Sequence, residues 1–405
     1  MVKTGDGSGT EGALRSGDRS RAALEASRRS DIASFMVMDV MAAAARLEAA
    51  ARRIVHMEVG QPGTPAPTAA RDAAKRAIDS GALGYTLATG MPALKERLGQ
   101  HYQDTYGVTV SPERFVITNG SSAAFVLTFL ALFDAGDRVA VPSPGYPCYR
   151  NILRALGQPD VAIETDEAGR WMPTLDQIAA AGDIRGLLIA SPNNPTGTMI
   201  EPDRLAAIAA DCEKAGRWLI SDEIYHGLTF GQPGRTALSY SDDAVVIHSF
   251  SKYFSMTGWR VGWMIVPVRL LPAVERLAQN LFICAPAVSQ AAALGAFGGI
   301  EELEANVAAD RENRTVLMDA LPTVGLDRIV PADGGFYLYA DVSQFTEDSL
   351  AFSRQMLEEV GVAATSGIDF DERRGRRFLR FSYAGTNADM HEAVERLSRW
   401  ERLKG

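Results

Sequence analysis

Short apolar runs that alternate with longer helical patterns constrain the fold of this chain more than any other feature of its sequence. "RFVIT" precedes "SSAAFVLTFLALF", "DRVAV" precedes "GYPCYRNILRALG", and "GLLIA" precedes "EPDRLAAIAADCEKAG", with "RWLIS" and "AVVIHSF" following. The short runs are rich in β-branched residues and lack polar alternation, which is typical of strands buried on both faces of a parallel sheet. The pattern therefore predicts an α/β fold, in which helices cover both faces of a mostly parallel sheet as a three-layer α/β/α large domain.

The two ends of the chain have a different pattern. From about residue 286 onward, long helical patterns are followed by "GGFYLYADV", "RFLRFSYA" and a closing helix, which is typical of a smaller α+β domain. Near the N-terminus, residues 32–50 are apolar but are interrupted by Asp39, Arg46 and Glu48, which argues against a membrane span. We expect this stretch to form an amphipathic helix packed on the rest of the protein.

These patterns predict four segments along the chain. A disordered leader covers 1–30, an N-terminal helix and a segment that joins the small domain cover 31–60, a large α/β domain covers 61–285, and a small C-terminal domain covers 286–405. The small domain is thus expected to be built from both chain ends.

Charge and composition argue against several classes of partner. The chain has 405 residues, 46% of them hydrophobic, which is enough to bury a large core. Its net charge is −9, and acids and bases are interspersed. The densest basic run, "RRGRR" at 373–377, has acids on its N-terminal side and no interleaved aromatic residues. We interpret it as a solvated loop before a strand, and we expect no nucleic-acid partner and no membrane partner.

Cysteine and histidine usage bears on location and on metal binding. Cys148, Cys212 and Cys284 lie far apart without C-x-x-C spacing, which favours a reduced cytoplasmic protein over a disulfide framework. The five histidines are scattered, so we expect no metal site. The first thirty residues are polar and lack the apolar core of a secretory signal. Their arginines allow a mitochondrial transit peptide, whereas their acidic residues argue against one.

Polar residues follow several of the predicted strands. Ligands of open parallel sheets bind beyond the carboxyl ends of the strands. The polar residues at such ends are Ser121 and Ser122 after "RFVIT", Asn194 after "GLLIA", Asp222 and Tyr225 after "RWLIS", and Ser249, Ser251 and Lys252 after "AVVI". Taken singly, Asp222 could cap a helix, "NNPTG" could be an ordinary turn and Lys252 could be an exposed cation. Their joint occurrence, with Arg260 nearby, favours one shared site.

Seven segments of the chain resemble the signature blocks of a known family. "SPNNPTG", "SDEIYHGLTF" and "SFSKYFSMTGWRVGW", together with "YTLATGMPALKERL", "TNGSSAAF", "PSPGYPCYRN" and "RFLRFSYA", occur in that family's order. They are similar to the segments of class I/II aminotransferases, the fold type I enzymes that depend on pyridoxal 5'-phosphate. The resemblance extends from about residue 32 to the C-terminus. It implies that fold, that cofactor and a transaminase activity.

The resemblance also implies roles at the reactive end of the cofactor. Lys252 resembles the lysine that forms an imine with the cofactor aldehyde and later moves the substrate's α-proton. Asp222 resembles the carboxylate that pairs with the pyridine nitrogen and keeps it protonated. Tyr225 and Asn194 are similar to the pair that hydrogen-bonds the ring phenolate oxygen. Lys252, Asp222 and Tyr225 make up the expected catalytic centre, and Asn194 is expected to bind both the cofactor and the substrate.

Further residues are implied for the phosphate and for the ring face of the cofactor. Ser121 and Ser122 begin a helix, where backbone N–H groups and the helix dipole favour an anion. Ser249 adds a hydroxyl and Arg260 a guanidinium suited to phosphate. Tyr146, in "PGYPCY", looks like the aromatic residue that stacks on the pyridine ring.

Substrate binding and assembly are implied in the same way. Arg380 resembles the arginine that grips the substrate α-carboxylate, and Gly60 the glycine whose backbone approaches it. Tyr85 resembles the tyrosine that crosses to the neighbouring subunit's cofactor phosphate, which implies a homodimer with shared active sites. "GGFYLY" at 334–339 is expected to help line the side-chain pocket. Some relatives that use dicarboxylic substrates have a lysine where this chain has Ser122, so a neutral or aromatic donor is at least as consistent as aspartate.

We therefore expect an enzyme that moves an amino group from an L-amino acid to a 2-oxo acid with ping-pong kinetics. Two alternatives of the same fold are a carbon–sulfur β-lyase and a cyclopropane-forming synthase, which would keep nearly the same cofactor residues. An alternative of another class is a regulatory protein that retains a non-catalytic cofactor site.

Overall fold

A computed structural model of the chain describes residues 26–81 and 83–403. The described helices are α1 (Met36–Ala49), α2 (Thr68–Asp79), α3 (Pro92–Tyr106), α4 (Gly120–Leu132), α5 (Pro147–Leu156), α6 (Leu175–Ala180), α7 (Pro202–Ala215), α8 (Leu271–Leu281), α9 (Ala287–Ala296), α10 (Ile300–Ala320), α11 (Ser349–Val360) and α12 (Asn387–Ser398). The described strands are β1 (Val55–His56), β2 (Phe115–Thr118), β3 (Val139–Ser143), β4 (Asp160–Glu164), β5 (Gly186–Ala190), β6 (Trp218–Asp222), β7 (Val245–Ser249), β8 (Gly262–Ile265), β9 (Ile329–Val330), β10 (Tyr337–Asp341), β11 (Val362–Ala363), β12 (Thr365–Ser366) and β13 (Phe378–Ser382).

The central sheet has seven strands in the order β2-β8-β7-β6-β5-β3-β4. β4, β3, β5, β6 and β7 pair in parallel, and β8 pairs antiparallel with both β7 and β2. The prediction of an α/β fold with a mostly parallel sheet is confirmed. The carboxyl ends of β5, β6 and β7 lie side by side in this order, which brings the segments that follow them to the same edge of the sheet.

Both faces of this sheet are buried, which explains its unbroken apolar strands. Leu219 and Ile220 are consecutive in β6 and point to opposite faces, as the pleat requires. Leu219 contributes to the core on one face and Ile220 to the core on the other, and both are at most 3% exposed. Because neither face meets water, a polar residue at a strand end stands out as a site residue.

A second, four-stranded antiparallel sheet has the order β12-β13-β10-β9 and its own apolar core. β1, from the N-terminal part of the chain, pairs in parallel with β11, from the C-terminal part. Helix α1 packs beside this pair through Ala44, against Ile54 and Ala363. The predicted amphipathic helix therefore forms, and the two chain ends meet.

The predicted domain division stays a prediction, and two observations bear on its ends. Helix α9 packs along α2, and a Cβ built on Gly295 would lie 2.5 Å from the Cβ of Ala73. Most of the predicted leader lies outside the described residues; within it, Arg28–Ser30 form one short 3-10 turn. In the described ranges, no helix is long and apolar enough to cross a membrane.

Candidate active site

A cavity of about 190 Å³ lies beyond the carboxyl ends of β5, β6 and β7. It brings together ten of the twelve residues predicted from the sequence, namely Gly60, Ser121, Ser122, Tyr146, Asn194, Asp222, Tyr225, Lys252, Arg260 and Arg380. These residues come from nine separate segments spread over more than 300 positions of the chain. Their convergence in one cavity is the main observation about this site.

Lys252 follows β7 and donates a hydrogen bond from Nζ to the backbone oxygen of Gly60, at 2.5 Å. Its amine also lies near the faces of Tyr225 and Phe336, at 5.7 and 5.6 Å from the ring centres. Burial, together with the positive charge of Arg380, lowers the pKa of Lys252 to about 8. A much larger fraction of this amine is therefore neutral at pH 7 than of an ordinary lysine.

Asp222 ends β6 and is buried. Its Oδ1 accepts the backbone N–H of Ile224 at 3.0 Å, and its Oδ2 accepts the hydroxyl of Tyr149. Burial raises the pKa of Asp222 to about 6, while the two hydrogen bonds and the charge of Lys252 act in the opposite direction. The group is thus a carboxylate at neutral pH that is suited to pair with a protonated ring nitrogen.

One end of the cavity is built for an anion. Ser121 and Ser122 lie in the first turn of α4, where backbone N–H groups lack helical partners. Gly120 has φ +72°, and a Cβ built on it would lie 2.3 Å from Nη2 of Arg260. Nη1 of Arg260 donates a hydrogen bond to the backbone oxygen of Thr257, at 3.1 Å. The absence of a side chain at Gly120 leaves room for the guanidinium against the helix terminus, so the donor set fits a phosphate group.

Another part of the cavity presents a buried arginine. Arg380, in β13, donates Nη1 to Oδ1 of Asn194 at 3.0 Å and Nη2 to the backbone oxygen of Glu58. Its guanidinium stacks over the ring of Tyr337, 4.3 Å from the ring centre. Its Nε is buried without a hydrogen-bond partner. Since an unpaired buried donor is costly, this part of the cavity fits a carboxylate ligand.

Part of the cavity wall is aromatic and closely packed. Tyr225 and Tyr337 share a hydrogen bond between their hydroxyls, at 2.9 Å, and burial raises the pKa of both phenols. A Cβ on Gly60 would lie 1.8 Å from the Tyr337 hydroxyl, so only glycine fits there. Tyr146 meets Phe35 edge to face, with ring centres 6.0 Å apart. Tyr337 belongs to the "GGFYLY" segment that was expected to line the pocket.

Two predicted residues are not among those that line the cavity. Ser249 is fully buried; its Oγ lies 2.8 Å from Oγ of Ser251 and 3.1 Å from the backbone oxygen of Val261. Ser251 lines the cavity in its place. Tyr85 is 85% exposed and does not line this cavity. Both role assignments stay predictions.

Several lining residues were missed in the sequence. Phe35, Val37 and Met38 at the start of α1, Val59, Phe125, Tyr149, Ile224 and Thr257 also line the cavity. Ser251 was recognised as a polar residue at a strand end but was given no role. Tyr149 carries a usable signal, because it lies three residues after the predicted site residue Tyr146. The residues of α1 carry none, since an apolar helix start is typical of any packed helix. Across residues 26–81 and 83–403, no group of three or more His, Cys, Asp or Glu side chains is arranged to hold a metal ion.

The chain is similar in sequence to a known protein family and to several aminotransferases. The family model "Aminotransferase class I and II" matches residues 52–397. The valine–pyruvate aminotransferase of Mycobacterium tuberculosis is 48% identical over 377 residues, which cover 92% of this chain and 97% of the relative. The (5-formylfuran-3-yl)methyl phosphate transaminase of Methanocaldococcus jannaschii is 33% identical, covering 90% of this chain and 96% of the relative.

Solved structures agree with these matches. A crystal structure of an aminotransferase from Mycobacterium tuberculosis superposes with a TM-score of 0.92 at 48% identity, over 93% of this chain and 99% of that chain. The aspartate aminotransferase from Thermus thermophilus with maleate superposes with a TM-score of 0.88 at 29% identity, again over 93% of this chain and 99% of that chain.

Proposed function

The chain belongs to the class I and II aminotransferases, and we propose that it works with pyridoxal 5'-phosphate bound in the cavity beyond the carboxyl ends of β5, β6 and β7. It is an enzyme that transfers an amino group between an amino acid and a 2-oxo acid. The cofactor proposal is carried by one observation: a partly neutral lysine, a buried carboxylate and an arginine beside a helix terminus line a single cavity. When bound, pyridoxal phosphate supplies a reactive aldehyde carbon and an electron-withdrawing ring.

Lys252 is proposed as the covalent anchor of the cofactor and as the proton carrier of the reaction. Its lowered pKa, about 8, supports both roles, because only a neutral amine can bond to an aldehyde or accept the substrate's α-proton. Its hydrogen bond to the Gly60 oxygen holds Nζ on the side of the cavity where Arg380 also lies. The amine is therefore poised beside the place proposed for the substrate's α-carbon.

Asp222, Asn194 and Tyr225 are proposed to tune the ring from its edges. Asp222 would hold the ring nitrogen in its protonated form, which strengthens electron withdrawal. The Tyr225 hydroxyl and the Asn194 amide would donate hydrogen bonds to the ring oxygen. The raised pKa of Tyr225 supports this role, because the phenol stays a neutral donor across the physiological range.

The phosphate and the ring face are proposed to be held by the remaining predicted residues. Ser121, Ser122, Ser249 and Arg260 would bind the phosphate group, and Tyr146 would stack on the ring. Ser251, which lines the cavity beside Lys252, is a further candidate donor. The space left by Gly120 beside Arg260 supports the phosphate assignment.

Arg380 is proposed to bind the substrate's α-carboxylate, with Gly60 beside it and Asn194 orienting the guanidinium. The unpaired Nε and the hydrogen bond from Nη1 to Asn194 support this assignment. A carboxylate that accepts from Nε and one terminal nitrogen would satisfy the buried donor with two parallel hydrogen bonds.

The substrate side chain is proposed to be uncharged and apolar. Among the described residues that line the cavity, the cations are Lys252, Arg260 and Arg380, and each already has a proposed task. Phe35, Val37 and Met38 present an apolar wall at the cavity, which suits an aliphatic side chain. With the valine–pyruvate specificity named for the relative from Mycobacterium tuberculosis, this supports valine as donor and pyruvate as acceptor.

The assembly is proposed to be a homodimer with shared active sites in the cytoplasm. The exposed Tyr85 and the neighbouring Leu87, which is 62% exposed, would be covered by the second subunit, with Tyr85 reaching the partner's phosphate site. The three free cysteines support a reducing compartment. The division into a large domain at 61–285 and a small domain at 286–405 is retained as part of the same proposal.

The proposed function is tested by separating the two halves of the reaction. Valine added to the cofactor-loaded protein without an oxo acid should convert one equivalent of bound cofactor to its amine form, and pyruvate should then restore it. Parallel lines in double-reciprocal plots are expected from ping-pong kinetics. Release of pyruvate and ammonia from a sulfur-containing amino acid without any acceptor would instead identify a β-lyase. Varying the donor over the proteinogenic amino acids tests the side-chain assignment.

A further inference from the structure

One buried tyrosine outside the predicted set touches two of the proposed cofactor residues at once. Tyr149 lies in α5, one turn after Tyr146, and is 3% exposed. Its hydroxyl donates a hydrogen bond to Oδ2 of Asp222. Its ring meets that of Tyr146 edge to face, with centres 5.4 Å apart and planes at 79°. The same side chain therefore contacts the residue proposed for the ring nitrogen and the residue proposed for the ring face.

Packing contacts hold the Tyr149 side chain in one orientation. Phe125, in α4, packs against the Tyr149 ring at 5.1 Å and 60°. Helix α5 begins at Pro147, which is pre-organised for the first helical position. With its ring held between Phe125 and Tyr146, Tyr149 has little freedom to direct its hydroxyl elsewhere. The hydrogen bond to Asp222 is thus imposed by packing.

The direction of this hydrogen bond determines its effect on charge. Burial raises the pKa of Tyr149 well above its ordinary value, and the nearby negative charge of Asp222 raises it further, so the phenol stays protonated and donates. Asp222 receives one other donor, the backbone N–H of Ile224, and faces the amine of Lys252. Glu223, the next residue on β6, is itself buried with its pKa raised to about 8, so near neutral pH it adds little charge against Asp222.

We propose that Tyr149 is a positioning residue that keeps the Asp222 carboxylate charged and aimed at the cofactor ring while it sets the angle of Tyr146. The inference rests on the proposed cofactor function, because the ring nitrogen gives Asp222 its role. A donor to a carboxylate stabilises the charged form. The tyrosine therefore acts through Asp222 and needs no contact of its own with the substrate.

The test compares Tyr149→Phe with Tyr102→Phe. Both changes remove one hydroxyl from a fully packed tyrosine; the Tyr102 hydroxyl accepts from Trp263 Nε1 at 3.3 Å and does not line the cavity. Pyridoxal phosphate affinity of the cofactor-free protein is measured from pH 5 to 9 by quenching of tryptophan fluorescence. Without its donor, Asp222 should take up a proton at higher pH, so that the loss of affinity on acidification begins about one pH unit earlier. Tyr102→Phe should follow wild type.

A second measurement needs no cofactor. Infrared titration of the carboxyl band in the cofactor-free protein, assigned with Asp222→Asn, should show the same upward shift in Tyr149→Phe. Adding Tyr149→Phe to Asp222→Asn should produce no further change in the pH profile of binding. A Tyr149→Phe protein that unfolds at a lower temperature but keeps the wild-type infrared titration and binding profile would overturn the inference. Failure of the wild type to bind pyridoxal phosphate, with the infrared shift intact, would overturn only the proposed function.

Discussion

Two groups of residues that line the active-site cavity come from different parts of the chain. One group, the sheet end, lies at the carboxyl edge of the seven-stranded sheet, with Asp222 closing β6 and Lys252 following β7. The other end is assembled from segments far apart in sequence, with Phe35 before α1, Gly60 after β1 and Arg380 in β13. Under the proposed function, the sheet end carries the cofactor chemistry and the other end binds the substrate.

Loss of the Lys252 amine is expected to have the largest effect on activity, and it tests the role of the sheet end. Lys252→Ala should lower kcat/KM for valine and pyruvate by about 10³-fold or more, because a positioned proton carrier alone contributes about 10²- to 10⁴-fold. Lys75→Ala is the matched control, since that lysine is exposed, lies outside the cavity and pairs with Asp72, at 3.1 Å. Steady-state kinetics of both variants measure this loss of kcat/KM. A Lys252→Ala enzyme with wild-type turnover would remove the sheet end from the mechanism.

Replacing Arg380 with lysine tests carboxylate binding at the other end of the cavity. Arg380→Lys should raise KM for both substrates by about 10- to 100-fold with a smaller change in kcat, because one amine cannot replace two parallel charged donors, each contributing about 1.5–3 kcal/mol. Arg376→Lys serves as control, because Arg376 is exposed and lies 3.6 Å from Asp348. Unchanged KM values in Arg380→Lys would assign carboxylate binding to another residue.

The pH dependence of cofactor binding tests whether burial lowers the pKa of Lys252. The neutral form of Lys252 is the reactive one, and burial lowers its pKa from 10.5 to about 8. The rate at which the cofactor-free protein captures pyridoxal phosphate should therefore rise about tenfold per pH unit below pH 8 and level off above it. Stopped-flow absorbance measures this rate. A plateau reached only above pH 10 would mean that the amine is not perturbed by burial.

Shortening one apolar side chain at the cavity should have the smallest effect, and it should change only the preference among amino donors. Val37→Ala should lower the ratio of kcat/KM for valine over alanine by about tenfold, because roughly two buried methyl groups, each worth about 0.8 kcal/mol, lose contact with the donor. Val37 is buried at the cavity, whereas Ile32, the site of the control Ile32→Ala, is 42% exposed and does not line it. An equal loss with both donors would show that the start of α1 affects stability and not selection.

The same division explains what could be predicted from the sequence. Asn194, Asp222 and Lys252 were found because neighbouring parallel strands present their carboxyl ends at one edge, and a polar residue after an apolar strand is conspicuous there. The fold and the family followed from the same blocks. Arg380 and Gly60 were found through the resemblance alone, since no local pattern links positions so far apart.

The missed residues lacked a local signal or were placed by packing. Val37 looks like any apolar helix residue, and the packing of α1 against β11 and β12 brings it to the cavity. Ser249 and Ser251 are both hydroxyls beside Lys252, and which of them lines the cavity depends on side-chain direction at the end of β7. Tyr149 lies close in sequence to Tyr146, but its hydrogen bond to Asp222 is a tertiary contact that the sequence does not show. Side-chain direction at element ends is set by tertiary contacts that a single sequence does not encode locally.

The central claim is that the amine of Lys252 is the group that holds the cofactor. Purified protein loaded with pyridoxal phosphate is reduced with borohydride, digested and mapped by mass spectrometry. The account predicts a single pyridoxyl phosphate adduct on the peptide that carries Lys252, and none after Lys252→Ala. An adduct on any other lysine of the wild type, or a reduced protein without adduct, would contradict it.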